Sequence, residues 1–171
     1  PLKLEEMLVK EKAEIVRSKA DVRSLMASSM VGDITFSGDD HGGFIFPDFH
    51  PGFDGMFALA SLIRMLQQTD LDLTEMVDGL PEFQMAYEQV RCPWEAKGQV
   101  MRLLSEEHRD DDKTQTLDGI KIFHEDSWVL VLPDSVEPVF HIYAESNSVA
   151  DSERVVAEYV QKIEYLQTVA S

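Results

Sequence analysis

The chain has 171 residues, 44% of them apolar and 27% charged, with 32 Asp and Glu against 15 Lys and Arg. That is enough polypeptide for one medium domain or two small ones, and the balance excludes wholesale disorder. A net charge of −17 repels nucleic-acid backbones and anionic membrane surfaces, so neither is an expected partner, and an anionic ligand needs local cations to overcome the field.

Pro1 stands directly before a helical pattern with no initiator methionine, and the expectation is a piece of a longer polypeptide. Residues 2–11 carry Leu2, Leu4, Leu8 and Val9 at helical spacing. Residues 13–17 read as a strand. Asp21 is placed to cap a helix over 22–30, with Val22, Leu25, Met26 and Met30 on one face and Gly32 past its end. Two strand-like runs, 33–37 and 43–47, flank the polar, glycine-bounded segment Gly38-Asp39-Asp40-His41-Gly42. This order is typical of a mixed α/β layer. After a turn-rich 48–53, Asp54 precedes a helix over 55–68 whose stripe is Met56, Leu59, Ala60, Ile63 and Leu66. Residues 69–80 read as a short helix ending at Gly79, and Pro81 marks the expected boundary between a region 1–80 and a region 81–171.

The second region reads as strand 83–91, a helix with Pro93 at its first position running to about Ser105, a solvated acidic loop at 106–112, then strands at 117–123, 127–132 and 138–145. Glu125-Asp126 makes a tight hairpin, and Ser148 with Asp151 caps a last helix that buries Val156, Tyr159, Val160, Ile163 and Leu166. The order βαβββα implies an antiparallel sheet of four strands covered on one face by two helices. Cys92 is the single cysteine, so no intrachain disulfide forms, and a reducing cytoplasm suits the chain. Cys92 precedes a helix N-terminus, which lowers a thiol pKa, but a structural role is the plainer reading. No stretch approaches the ~18 apolar residues of a membrane span, and no signal peptide is visible.

Two motifs carry a resemblance. Ser37-Gly38-Asp39-Asp40-His41-Gly42-Gly43, followed by Phe44-Ile45-Phe46-Pro47-Asp48 and then Phe53-Asp54-Gly55, is similar to the sugar-specificity loop of the phosphoglucomutase/phosphomannomutase (phosphohexomutase) family. Upstream, Val16-Arg17-Ser18-Lys19-Ala20 resembles that family's Val-x-Arg-Thr strand. About 90 residues beyond the first motif, Trp128-Val129-Leu130-Val131-Leu132-Pro133-Asp134-Ser135-Val136-Glu137-Pro138 resembles its Trp-x-x-x-Arg-Pro-Ser-Gly-Thr-Glu-Pro segment, the phosphate loop of the last domain. The resemblance implies most of the third and all of the fourth of four domains. These are a partial mixed α/β layer and a TATA-box-binding-protein-like domain. It also implies sugar-loop residues Gly38, Asp39 and His41.

The second motif departs where phosphate binding needs a guanidinium, small residues and hydroxyls. Leu132 stands at the arginine position, Pro133 is kept, and Asp134, Ser135 and Val136 replace serine, glycine and threonine. At about 5 Å and an effective dielectric near 20, each unit of charge changed is worth roughly 3 kcal/mol before screening. A loop that attracts a dianion becomes one that repels it. Asp39 is one methylene shorter than the family glutamate, and His41 replaces serine. The family's phosphorylatable serine loop and magnesium-binding aspartate loop have no counterpart in this sequence. No catalytic residue and no cofactor is therefore assigned to this chain, and magnesium is expected only in a complete parent mutase.

Cys92-Pro93-Trp94-Glu95-Ala96-Lys97-Gly98, with the altered loop, looks like mutase-like regions fused behind mannose-1-phosphate guanylyltransferases. The expected partners are the rest of a parent polypeptide and a hexose phosphate. Asp39, Asp40, His41, Asp48 and His50 fit no standard metal spacing and read as a solvated loop. Asp54 reads as a helix cap, Trp94 and Trp128 as packing anchors, and His124 and His141 as edge or surface residues of strands. Three functions follow: a non-catalytic mutase-like module, the substrate-binding end of a working mutase, or a ligand-free oligomerisation module.

Overall fold

A computed structural model describes residues 2–19, 21–39, 41–80, 82, 84–109 and 113–170. In chain order the elements are α1 (Leu2–Lys10), α2 (Val22–Ser29), β1 (Ser37–Gly38), β2 (Phe44–Ile45), α3 (Gly55–Thr69), α4 (Leu73–Asp78), β3 (Gln84–Arg91), α5 (Trp94–Glu107), β4 (Thr114–Gln115), β5 (Ile120–Phe123), β6 (Trp128–Pro133), β7 (Val139–Ser146) and α6 (Val149–Ala170). Contacts divide the chain into two units, residues 11–81 and residues 82–171 together with the first ten.

In the unit holding 82–171, Ile120 and Ile122, Val129 and Val131, and Phe140, Ile142 and Ala144 recur at every second position. Each strand therefore has one apolar face. The strands form an antiparallel sheet of order β3-β7-β6-β5-β4. Its apolar face buries against Val100 and Leu104 of α5 and against Val155, Val156, Tyr159, Ile163 and Leu166 of α6. The two-helix cover is as expected, but the sheet has five strands rather than four. The fifth, β4, is a two-residue polar pairing of Thr114 and Gln115 with β5, too short to leave a periodic signal. The hairpin at Glu125-Asp126 closes through the His124 amide on the Ser127 carbonyl, 2.8 Å. Ser148 caps α6 by accepting from the Asp151 amide at 3.1 Å while its hydroxyl donates to the Asp151 carboxylate at 2.7 Å. Gly119 adopts φ +68°, and a Cβ there would collide with the Val131 carbonyl. Glu106 and Glu107 belong to the last turn of α5, where they pair with Arg102 and Lys162. Residues 110–112 of the expected acidic loop lie outside the described residues.

In the unit formed by 11–81, Asp21 and Asp54 cap α2 and α3 as the sequence indicates, accepting from the Ser24 and Phe57 amides at 2.9 and 2.8 Å. The expected strands at 33–37 and 43–47 shrink to β1 and β2, paired antiparallel with Ser37 opposite Ile45. Residues 13–17 form no strand, and Val16 is exposed. The helix α3 is turned from its expected face: Met56 (84% exposed), Leu59 and Ile63 point outward. Its other side carries Phe57, which stacks on Phe49 at 3.9 Å between centroids and meets Phe46 edge-on at 5.1 Å. A helix apolar on both sides offers two candidate stripes, and aromatic packing selects the one holding Phe57. Pro81 lies outside the described residues. Among them, no helix is long and apolar enough to cross a membrane.

Candidate functional site

The segment 38–43 joins β1 to β2 and is organised by Asp39. Its amide donates to the Gly43 carbonyl at 3.0 Å. Its Oδ1 accepts the amides of His41 at 3.0 Å and Gly43 at 2.7 Å. The carboxylate is thus engaged first by its own turn, the usual Asx geometry. A Cβ on Gly43 would stand 2.6 Å from Phe53 Cε1 and 2.8 Å from Asp39 Oδ2, so a larger residue there must displace the ring or the carboxylate. Gly38, Asp39 and His41 are brought together on one turn, while Asp40 lies outside the described residues. His50 belongs to a separate turn, its Nδ1 accepting the Gly52 amide at 3.1 Å. A cleft of about 440 Å³ in this unit is lined by Ser29, Asp33, Thr35, Pro47 and Asp48 and includes neither Asp39 nor His41. Among the described residues no three His, Cys, Asp or Glu side chains gather as metal ligands.

The second segment joins β6 to β7. Leu132 and Pro133 end β6, facing His141 and Phe140 in register. The Asp134 amide donates to the Val139 carbonyl at 3.1 Å, closing the loop. Its side chain then turns inward. Oδ1 accepts the amides of Val136 at 2.6 Å and Glu137 at 2.7 Å. Oδ2 lies 2.8 Å from His141 Nε2, and His141 Nδ1 lies 2.8 Å from the Tyr87 hydroxyl. An ionised carboxylate only accepts, so Nε2 carries the hydrogen; in the neutral ring Nδ1 then accepts from Tyr87. The hydrogen bond from His141, followed by those from the Glu137 and Val136 amides, holds the Asp134 carboxyl well below the usual carboxylate range. Beneath the loop, Lys97 is 7% exposed and donates from Nζ to the carbonyls of Asp134 and Glu137, both at 2.5 Å. The same ammonium sits 4.1 Å from the Trp94 ring centroid. Ser135 and Val136 stand outside, Val136 at 81% exposed.

Three participants escaped the sequence reading: His141, Tyr87 and Lys97. His141 is no edge residue, because β7 lies between β3 and β6. Its period-two position opposite Leu132 was the available signal. Cys92 is fully buried, and burial pushes its thiol pKa up despite Lys97 nearby, the reverse of the helix-terminus expectation.

Residues 2–83 match the family model described as phosphoglucomutase/phosphomannomutase, alpha/beta/alpha domain III. The likeness to that phosphohexomutase domain covers just under half of the chain. Relatives extend the likeness beyond that domain. A probable phosphoglucosamine mutase of Methanopyrus kandleri is 30% identical over 92% of this chain and 35% of its own length. A phosphoglucomutase/phosphomannomutase of Thermococcus kodakarensis is 27% identical over 92% of the chain and 34% of its length. The fold is shared with a phosphoglucomutase/phosphomannomutase family protein of Burkholderia thailandensis. Its crystal structure superposes with a TM-score of 0.79 at 20% identity, over 95% of this chain and 35% of that one. The chain thus spans about a third of the length of the phosphohexomutase relatives it matches.

Proposed function

We propose that this chain is a non-catalytic, phosphohexomutase-like module of a cytoplasmic sugar-phosphate or nucleotide-sugar enzyme, offering a sugar-facing turn at 38–43 and no working phosphate site at 132–138. One observation carries the reading: the amides of Val136 and Glu137 are already given to the carboxylate of Asp134. No guanidinium stands at position 132, and no threonine hydroxyl at 136. The sequence holds neither a serine loop to carry a phosphoryl group nor an aspartate-rich loop for the metal that would neutralise it, so this chain has no means of phosphoryl transfer by itself. Relatives named as phosphoglucosamine mutase and phosphoglucomutase/phosphomannomutase make hexose and hexosamine phosphates the ligands to try, and the resemblance of the 92–98 segment supports a guanylyltransferase fusion as a parent.

A second reading, the substrate-binding end of a working mutase completed by the rest of a parent polypeptide, draws on relatives named as mutases along 84–94% of the chain. Calorimetric titration with glucosamine 6-phosphate, glucose 6-phosphate, mannose 1-phosphate and the free sugars separates the two. The module reading expects weak, saturable binding that is indifferent to the phosphate and reduced by Asp39→Asn. Tight binding that needs the phosphate and the 132–138 loop favours the mutase end. No binding, with clean self-association, overturns both in favour of an oligomerisation module.

A further inference from the structure

We infer that the 134–141 segment keeps an anion site of two backbone amides and an imidazole that is occupied by the protein's own carboxylate, so that Asp134 acts as an internal competitor for a phosphomonoester dianion or inorganic phosphate. The inference rests on the reading of this loop as a silenced phosphate loop and adds how it is silenced. Two backbone amides reach one oxygen of Asp134 and an imidazole N–H reaches the other, all between 2.6 and 2.8 Å. Three donors on two oxygens of one anion is the arrangement that cradles two phosphate oxygens.

An ordinary Asx turn uses the amides and leaves the second oxygen to water. Here the second oxygen is taken by a side chain from the middle of β7, itself braced by Tyr87 from β3. The positive charge nearest the loop, Lys97, is fixed behind it on the Asp134 and Glu137 carbonyls. It therefore supports the turn's shape whether the occupant is internal or external. The site lacks a vacancy, while its donors remain.

The test uses the whole chain and amide NMR with inorganic phosphate, at ionic strength matched by chloride. In the native chain the Val136 and Glu137 amide signals stay unmoved by phosphate. In Asp134→Ser, and in Asp134→Gly, they shift saturably, with an affinity at least about tenfold above native, and the added change His141→Ala weakens that binding. A folded Asp134→Ser or Asp134→Gly chain whose two amides ignore phosphate overturns the inference and leaves the silenced-loop reading standing. Phosphate that moves these amides saturably in the native chain overturns both, and this arm needs no variant to fold.

Discussion

Trp128 and Glu145 face each other across β6 and β7, and the indole N–H donates to a carboxylate oxygen at 2.8 Å with both residues only 4% exposed. Val129, next to Trp128, points into the helix-covered core, so this pair lies on the opposite face of the sheet. Lys121 from the neighbouring strand β5 completes it, its ammonium 4.0 Å from the Trp128 ring centroid. Trp128→Phe keeps an aromatic ring but withdraws one donor from a buried carboxylate. Hydrogen bonds to charged groups contribute about 1.5–3 kcal/mol, and a loss of that size is expected in urea unfolding, with the m-value unchanged. Glu145→Gln keeps an acceptor for the indole and is expected to lose less. Equal stability of Trp128→Phe and native protein would remove the pair from any account of this face.

The carboxyl of Asp134 titrates below its unfolded value, so its contribution to stability is fully present above about pH 4 and is lost as pH falls from there toward the folded value. Asp21, the cap of α2, and Asp151, in the first turn of α6, are lowered in the same direction, so the native chain weakens in acid from several sources. The difference between native and Asp134→Asn isolates one of them. That variant is expected to be less stable at neutral pH and to approach the native chain progressively as pH falls below about 4. Chemical unfolding midpoints across that range are the measurement. A stability gap that stays constant with pH would show that the Asp134 charge has no part in it.

The sequence made some of this legible and concealed the rest, for physical reasons. Caps at Asp21, Asp54 and Ser148 were readable because a short acceptor before an apolar helix leaves few alternatives. Strands β5 and β7 were readable from apolar residues at period two. The face of α3 was not, since its apolar residues run round the helix and only contact with Phe46 and Phe49 chooses between them. At the 132–138 loop the substitutions spoke correctly of lost cation and hydroxyl. They could not say that Asp134 would fold back on its own amides. Nor could they reveal that His141, seven residues on, and Lys97, 37 residues before, would converge on it. Residue chemistry is local in sequence, whereas donor convergence depends on register and crossing.

At the 38–43 turn the two flanking glycines are expected to differ. A methyl on Gly38 would meet Phe44 Cδ1 at 3.1 Å, a contact that the exposed ring relieves by moving a few tenths of an ångström. A methyl on Gly43 would meet both Phe53 and the Asp39 carboxylate inside 3 Å, and Asp39 is what closes the turn. Gly43→Ala is therefore expected to destabilise by about 1–3 kcal/mol, as overpacking does, and to shift the amide resonances of 39–44. Gly38→Ala is expected to leave both nearly as they were. The same geometry governs how a sugar-binding test is read. Asp39→Ala removes the turn's own acceptor along with any ligand contact, whereas Asp39→Asn keeps an acceptor for His41 and Gly43. Loss of binding in the asparagine variant with unchanged loop resonances is the outcome that assigns the carboxylate to a ligand.

Lys97 and Arg102 lie five residues apart on α5 and are expected to matter very differently. Arg102 pairs with Glu106 at 2.8 Å one helical turn on, with both side chains well exposed. Such pairs contribute a few tenths of a kcal/mol and are screened by salt. Lys97 is buried and directs its ammonium to two carbonyls of the 134–137 turn with Trp94 stacked over it. Lys97→Met preserves the aliphatic stem but leaves both carbonyls without their charged donor. A loss of about 3 kcal/mol is expected, since each such bond contributes about 1.5–3 kcal/mol and the two share one ammonium. Lys97→Arg is not expected to restore it, because a planar guanidinium cannot place one nitrogen between two carbonyls as a compact ammonium does. Arg102→Ala is expected to stay within about 0.5 kcal/mol of the native chain. Thermal or urea unfolding of the three variants decides the matter. Comparable losses for Lys97→Met and Arg102→Ala would mean that the ammonium does not hold the turn from behind.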